Sequence, residues 1–282
     1  FINFINFIMQ ITPTQELSYA LNTFYLLISG ALIFWMGAGF TMLEAGLVRS
    51  KNTLEIIVKN IILYAIACIM FMFIGYDLTF NSAEGSFMPA INQLFNFMFI
   101  TKDTDLGLNG IAKSAHFFFE MMFVASAMSI ISGAVAERMK LWAFSLFTLV
   151  MTGIIYPVQA YWNWGGGFLQ AIGYNDLAGS GTVHLAGATA ALTGVLLLGP
   201  RRGKYGPNGL IINAMPGANL PLATLGTLML WLGWFGFNGG SQMILASIPD
   251  ANIIAITFVN TNMAAAGGLL ATTILSRLLF SK

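Results

Sequence analysis

A histidine, two carboxylates and a set of aromatic rings stand in stretches of this sequence where polar chemistry is expensive. His184 lies seven residues into the run 177–200, which carries no other ionisable group. A neutral imidazole there offers one donor and one acceptor to a small polar molecule, and two readings stand: a group lining a pore, or a tie between two helices. Glu120, between Phe119 and Met121, is the costliest residue, since a charged group at mid-span costs at least about 2.5–3.5 kcal/mol on insertion scales. Pairing with a neighbouring helix, protonation or an aqueous pocket would each accommodate it. Asp176 precedes the His184 run and is followed by Leu177-Ala178-Gly179-Ser180-Gly181. It suits a helix N-cap, and equally a carboxylate that stabilises a cation at a pore mouth; one residue can do both. His116, one turn before Glu120, reads as interfacial.

The aromatic residues point the same way. Phe119 and Phe123 are four apart, so they share one helical face. Phe237 and Ser241 repeat that spacing near the end of a later apolar run, and Trp164 lies just ahead of the His184 run. An indole face attracts a desolvated cation by roughly 2 kcal/mol or more. Singly, each ring reads as core or interfacial belt. Their convergence on one end of the helices suggests a cup for a small cation.

Elements able to position these groups follow from composition. The chain has 282 residues, 57% of them hydrophobic and 8% charged, against roughly 25% charged in soluble domains. With 24 Phe, 16 Met and a mean hydropathy of +0.77, it is an integral membrane protein. A net charge of +1 leaves no basic footprint for nucleic acid. The single Cys68 excludes a disulfide framework and a zinc cluster, and no metal or cofactor is expected. Without a ligand cluster or a nucleophile–base pair, an enzyme is not expected either.

A crossing helix needs about 20 apolar residues. Suitable runs occur at 17–43, 60–76, 114–136, 141–175, 177–200, 205–249 and 251–276, predicting seven spans. Arg49, Lys51, Lys59, Arg138, Lys140, Arg201, Arg202, Lys204, Arg277 and Lys282 then fall on one side, ten of the twelve basic residues. Lys102 and Lys113 share the other side with Glu16, Glu84, Asp103, Asp105 and Asp250. The positive-inside rule puts the N-terminus outside and the C-terminus in the cytoplasm, in a plasma or inner membrane. The glycines at 30, 37, 39, 187, 194, 233, 236, 239, 240, 267 and 268 suit close helix contacts. Residues 1–11 are apolar but lack the basic start of a signal peptide. A heptahelical retinal protein is excluded, because 251–276 holds no lysine for a Schiff base.

Six runs resemble the ammonium transporter family (Amt/Mep/Rh), in that family's order. They are Gly39-Phe-Thr-Met-Leu-Glu-Ala-Gly-Leu-Val-Arg-Ser-Lys-Asn52, Ser132-Gly-Ala-Val-Ala-Glu-Arg-Met139, Trp164-Gly-Gly-Gly167, Asp176-Leu-Ala-Gly-Ser-Gly-Thr-Val-His184, Gly233-Trp-Phe-Gly-Phe-Asn-Gly-Gly-Ser241 and Asn260-Thr-Asn-Met-Ala-Ala-Ala266. The resemblance implies an external ammonium recruitment site at Trp164 and Ser241, walled by Phe119 and Phe123, with Asp176 nearby and the backbone carbonyl of Ala178 close to it. It implies a gate of Phe123 and Phe237, His184 as the first pore histidine, and Trp234 beside the pore. Ammonium would be deprotonated and pass as ammonia.

The same resemblance implies an all-α membrane helix bundle forming a single transmembrane domain over 1–282. Residues 13–200 would be a complete five-helix repeat and 205–282 the first two helices of an inverted second repeat. It also implies a homotrimer with one pore per subunit in the lipid bilayer, and allows a cytoplasmic regulatory protein as partner. The alternative is an ammonium-sensing receptor domain built on the same site. Family members have eleven spans and a second pore histidine in the tenth, so a longer natural chain is expected, as the initial Phe also suggests. Three residues depart from the pattern: Glu120 stands where Gln is usual, Ala218 where His is common and Gly37 where Gln is usual.

Overall fold

The computed structural model describes residues 12–80, 85–92, 94–95, 110–206, 209 and 211–280. Seven helices among these residues are long and apolar enough to cross a membrane: α1 Pro13–Leu47, α2 Ser50–Phe80, α3 Lys113–Val135, α4 Leu141–Ala171, α5 Ser180–Leu198, α6 Leu220–Gly240 and α7 Ile248–Phe280. No strand occurs among the described residues, so the architecture is the all-α, multi-pass membrane bundle that the hydropathy runs predict. Residues 1–11, Glu84, Lys102, Asp103, Asp105 and Lys282 lie outside the described residues.

Local chemistry starts and stops these helices. α1 opens with a capping box: the Gln15 amide donates to Thr12 Oγ1 at 3.3 Å, and the Thr12 amide donates to Gln15 Oε1 at 2.9 Å. Pro13 follows at the first helical position, where no donor is needed. Asn219 caps α6 by accepting from the Leu222 amide at 3.0 Å. α5 stops at Gly199, whose φ of 69° suits a residue without a Cβ, and Pro200 follows it.

Among the described residues three of the spans contain a π-helical turn: Phe71–Gly75 in α2, Met151–Ile155 in α4 and Ser180–Leu185 at the start of α5. The α4 turn precedes Pro157, which has no amide to continue an ordinary ladder. Widening the turn lets the Tyr156 amide bond Met151 O instead. α2 packs its own π turn there: a Cβ on Gly75 would lie 3.0 Å from Pro157 Cγ, and one on Gly153 would lie 2.6 Å from Met70 Cε.

The described residues belong to two compact units, one of residues 1–32, 103–119 and 231–282 and the other of 33–102 and 120–230. In the second unit α1 and α6 approach at glycines: a Cβ on Gly39 would lie 2.9 Å from Gly226 O, and one on Gly46 2.5 Å from Asn219 O. Beside that contact Ala45, Val48, Ile56 and Ala136 form a buried cluster with Ile57 and Leu222 packed on it. In the first unit the Asn22 Oδ1 accepts from the amides of Leu245 and Ala246 at 2.8 and 2.9 Å. Gly267 and Gly268, read from the sequence as contact glycines, face open space: a Cβ on either would meet nothing within 4 Å.

Lys59 corrects the sequence reading. It does not sit in a loop but nine residues inside α2, buried at 4% exposure, about 13 Å along the helix. It is held there by Glu44, three residues before the end of α1. Without Lys59, nine of the basic residues still fall on the predicted inner side.

Candidate functional site

The arginine-bearing ends of α1–α5 are built from two of the sequence motifs meeting each other. Glu44 Oε2 accepts from Ser132 Oγ at 2.8 Å and Asn60 Nδ2 at 3.3 Å, with Lys59 Nζ also at 3.3 Å. Lys59 donates further to Ser132 O at 2.9 Å and lies 5.0 Å above the Phe144 ring. Beyond the helix ends, Glu137 takes a φ of 62°. Its Oε1 accepts from the Arg49 amide at 3.1 Å, Arg49 Nε at 3.0 Å and Asn52 Nδ2, while Arg201 Nη1 lies 3.2 Å from Oε2. Burial alone would raise the Glu137 carboxyl; the bonds from Arg49 and Asn52, with the charge of Arg201, outweigh it and hold the group below its ordinary range. The runs 39–52 and 132–139 therefore tie helices together. The sequence reading missed Glu44 and Lys59, although opposite charges one span apart were a usable signal.

The tryptophan-bearing end differs. Trp164 closes the main helix of α4, and its indole Nε1 donates to the Asp176 carbonyl at 2.7 Å. Phe123 meets the indole edge-on, with ring centroids 5.7 Å apart at 90°. The three glycines after Trp164 are there for space and turn geometry. A Cβ on Gly165 would lie 1.7 Å from Thr79 O, Gly166 has a φ of 88°, and a Cβ on Gly167 would lie 2.6 Å from the Trp162 Cα.

Asp176 is buried, and its carboxylate is filled by backbone amides. Oδ1 accepts from Gly179 at 2.9 Å and Ser180 at 3.0 Å; Oδ2 accepts from Gly181 and Thr182, both at 2.8 Å. Four donors use the acceptor positions of a carboxylate, so Asp176 is the cap of α5. Ala178, half-buried, lies inside the loop this cap organises. Asn163 completes the loop, donating to Asp176 O and Thr182 Oγ1 at 3.2 Å each; the sequence reading did not single it out.

His184 lies within the π turn of α5, where Gly179 O accepts its amide at 3.0 Å and stands 3.3 Å from its Nδ1. A carbonyl can only accept, so a hydrogen bond here comes from a protonated Nδ1. The residue is exposed. A cavity of about 720 Å³ between α4 and α5 is lined by Gly181, Thr182 and Leu185, but His184 is not among its lining residues.

Four more predicted residues belong to the first unit. Phe119 and Phe237 are buried, at 1% and 0% exposure. Gly240 lets Phe119 in, since a Cβ there would lie 2.6 Å from its ring and from Ser29 Cβ. Ser241 is buried and its hydroxyl donates to Phe237 O at 2.7 Å, which directs its lone pairs away from its own helix. Trp234 is partly exposed, at 36%. In the second unit Glu120 is buried, at 3% exposure, and Phe123, one turn further along α3, carries the Trp164 contact.

The described residues thus form an all-helical, multi-pass membrane body in which an aromatic pair stands beside a capped aspartate, with a histidine on the span that the cap opens. The sequence matches the Ammonium Transporter Family over residues 24–282, and the chain belongs to that family. It is similar to ammonium transporter Amt2 of Archaeoglobus fulgidus, with 38% identity over 86% of this chain and 51% of the relative. It is likewise similar to ammonium transporter Amt1 of Methanocaldococcus jannaschii, with 38% identity over 91% of this chain and 61% of the relative. Among solved structures, a Sensor Amt Protein superposes with a TM-score of 0.84 at 32% identity, covering 95% of this chain and 64% of that one. A Mep2 variant of Candida albicans gives 0.72 at 27% identity, covering 91% and 58%. The chain thus spans about half to three-fifths of the length of the relatives it matches.

Proposed function

We propose that this chain recruits ammonium at the Trp164 end and serves its transmembrane transport. The observation that carries the reading is the Trp164 indole, fixed by its bond to the Asp176 carbonyl and braced edge-on by Phe123. Ammonium matches potassium in size, so a sieve cannot select it. Hydrogen-bond acceptors and an aromatic face can. Asp176 supplies negative potential, and with all four acceptor positions taken by amides it is not the proton acceptor. On the family resemblance we assign Ser241 and Phe119 to recruitment with the carbonyl of Ala178, Phe123 and Phe237 to the gate, and Trp234 to the pore wall. His184, whose Nδ1 stands 3.3 Å from Gly179 O, is the group we assign to passing ammonia after proton loss.

We extend the reading to a homotrimer in the plasma or inner membrane, with its N-terminus outside, its C-terminus cytoplasmic and a cytoplasmic regulatory partner. Residues 13–200 would be one five-helix repeat and 205–282 the start of a second. Methylammonium uptake by membranes containing the protein tests the core of this: His184→Ala abolishes or alters uptake with insertion intact, and unchanged uptake would refute the pore role. The similarity to a Sensor Amt Protein favours one second reading, ammonium sensing at the same site. Under it, ammonium binding persists, Trp164→Leu weakens binding, and no uptake is measured.

A further inference from the structure

The cavity of about 720 Å³ between α4 and α5 contains two polar atoms that the fold leaves unused. Tyr156 and Gln159 are three residues apart on α4, so they share one helical face, and both line the cavity. The Tyr156 hydroxyl is buried and makes no hydrogen bond, and neither does the buried Gln159 Oε1. Buried polar atoms nearly always have a partner, so two orphans on one face of one helix call for a ligand. Gln159 Oε1 can only accept, and the phenol oxygen can accept as well. A group with several N–H donors would serve both. Charge narrows the choice. Tyr156 lies within electrostatic reach of the carboxyl groups of Glu120 and Asp176, and no lysine or arginine lines the cavity among the described residues. Most of the remaining wall is apolar and includes Ile155, Val158, Leu169 and Leu185.

We propose that this cavity binds a primary alkylammonium ion, with its charged head on Tyr156 Oη and Gln159 Oε1 and its hydrocarbon tail against the apolar wall. An ammonium head brings three donors for the two idle acceptors and a positive charge that the two carboxyl groups favour. The volume lies within the range of roughly 300–1,000 Å³ found for small-molecule sites with apolar walls and a few placed polar groups. It exceeds what a bare ammonium ion would fill, so the tail is part of the ligand. An alcohol could meet the same two atoms but gains nothing from the nearby carboxyl groups. A phospholipid with an amine headgroup would bring a phosphate, for which the cavity offers no cation. The site is distinct from the indole of Trp164, which does not line this cavity.

Thermal unfolding of the purified chain in detergent micelles, titrated with hexylammonium or hexanol at pH 7, where a primary amine is a cation, tests this. Hexylammonium is expected to raise the midpoint saturably, and hexanol to leave it nearly unmoved. Gln159→Leu and Tyr156→Phe each remove a polar atom that bonds nothing in the protein, so both should unfold at or above the wild-type midpoint without ligand. Each should nevertheless need about ten-fold more hexylammonium for the same shift, the loss of one hydrogen bond to a charged group. Trp164→Leu should keep the shift. No shift with hexylammonium, an equal shift with hexanol, or an unchanged requirement in either cavity variant would overturn the site. Loss of the shift in Trp164→Leu with its retention in Gln159→Leu would also overturn it, by placing the amine at the aromatic end.

Discussion

At one end of the unit formed by residues 33–102 and 120–230, carboxylates are met by cations: Glu44 by Lys59, and Glu137 by Arg49 and Arg201. At the Trp164 end, Asp176 is met by four backbone amides and by no cation among the described residues. Both solutions satisfy a buried charge, but they leave different fields. The ion-paired end neutralises these carboxylates within an excess of basic residues, with Arg138, Lys140, Arg202 and Lys204 nearby in sequence, and its pairs bind helices together. The amide-capped end keeps a net negative charge beside a partly exposed indole, and a cation is drawn to net charge rather than to paired charge. That contrast separates the helix-tying motifs from the one proposed to receive ammonium.

Breaking the ion-paired end should have the largest effect. Lys59→Met leaves Glu44 buried without its cation and should cost about 3–5 kcal/mol of stability, read from unfolding in mixed micelles. Combining it with Glu44→Gln should recover most of the loss, because the uncompensated charge is gone. If the single and double variants are equally unstable, the pair is not the cause.

Next comes the cap. Asp176→Asn keeps the shape but offers one carbonyl oxygen to four amides, and should cost about 2 kcal/mol. Unlike the lysine variant, it should also lower ammonium affinity, since it removes the field at the aromatic end. A loss of stability with affinity unchanged would reduce Asp176 to a cap alone.

A smaller effect follows from pH. The Glu137 carboxyl is held below its ordinary range by Arg49, Asn52 and Arg201 against the opposing effect of burial. Its stabilisation is therefore complete above the unfolded carboxylate value of about 4.3 and is lost as pH falls through the lower folded value. Thermal unfolding followed from neutral to acid pH should show an acid arm in the wild type. Glu137→Gln should be less stable at neutral pH and show a flatter arm; an unchanged arm would mean that other groups set it.

The seven helices were legible because each apolar run was long enough, whatever its surroundings. Hydropathy did not reveal burial: α3 and α7 have mean hydropathies of 1.7 and 1.6, yet 72% of the α3 span is buried against 11% of the α7 span. Lys59 was misplaced for a related reason. A charge in the sequence reads as a loop until the partner that neutralises it, here Glu44 on another helix, is known. For Asp176 the sequence offered a cap and a cation-stabilising carboxylate together; the geometry of the 176–182 loop shows the cap, with four amides on the carboxylate. The π turns were not legible, because the widening before Pro157 depends on Gly75 and Met70 from α2 packing there.

Trp164 carries the central claim. Methylammonium uptake by membranes containing the wild-type protein or Trp164→Leu, measured from low to saturating substrate, tests it most directly. KM should rise about tenfold, the worth of a partly exposed cation–π contact, with the saturated rate nearly unchanged. A uniform fall in rate at every concentration, with KM unmoved, would contradict it.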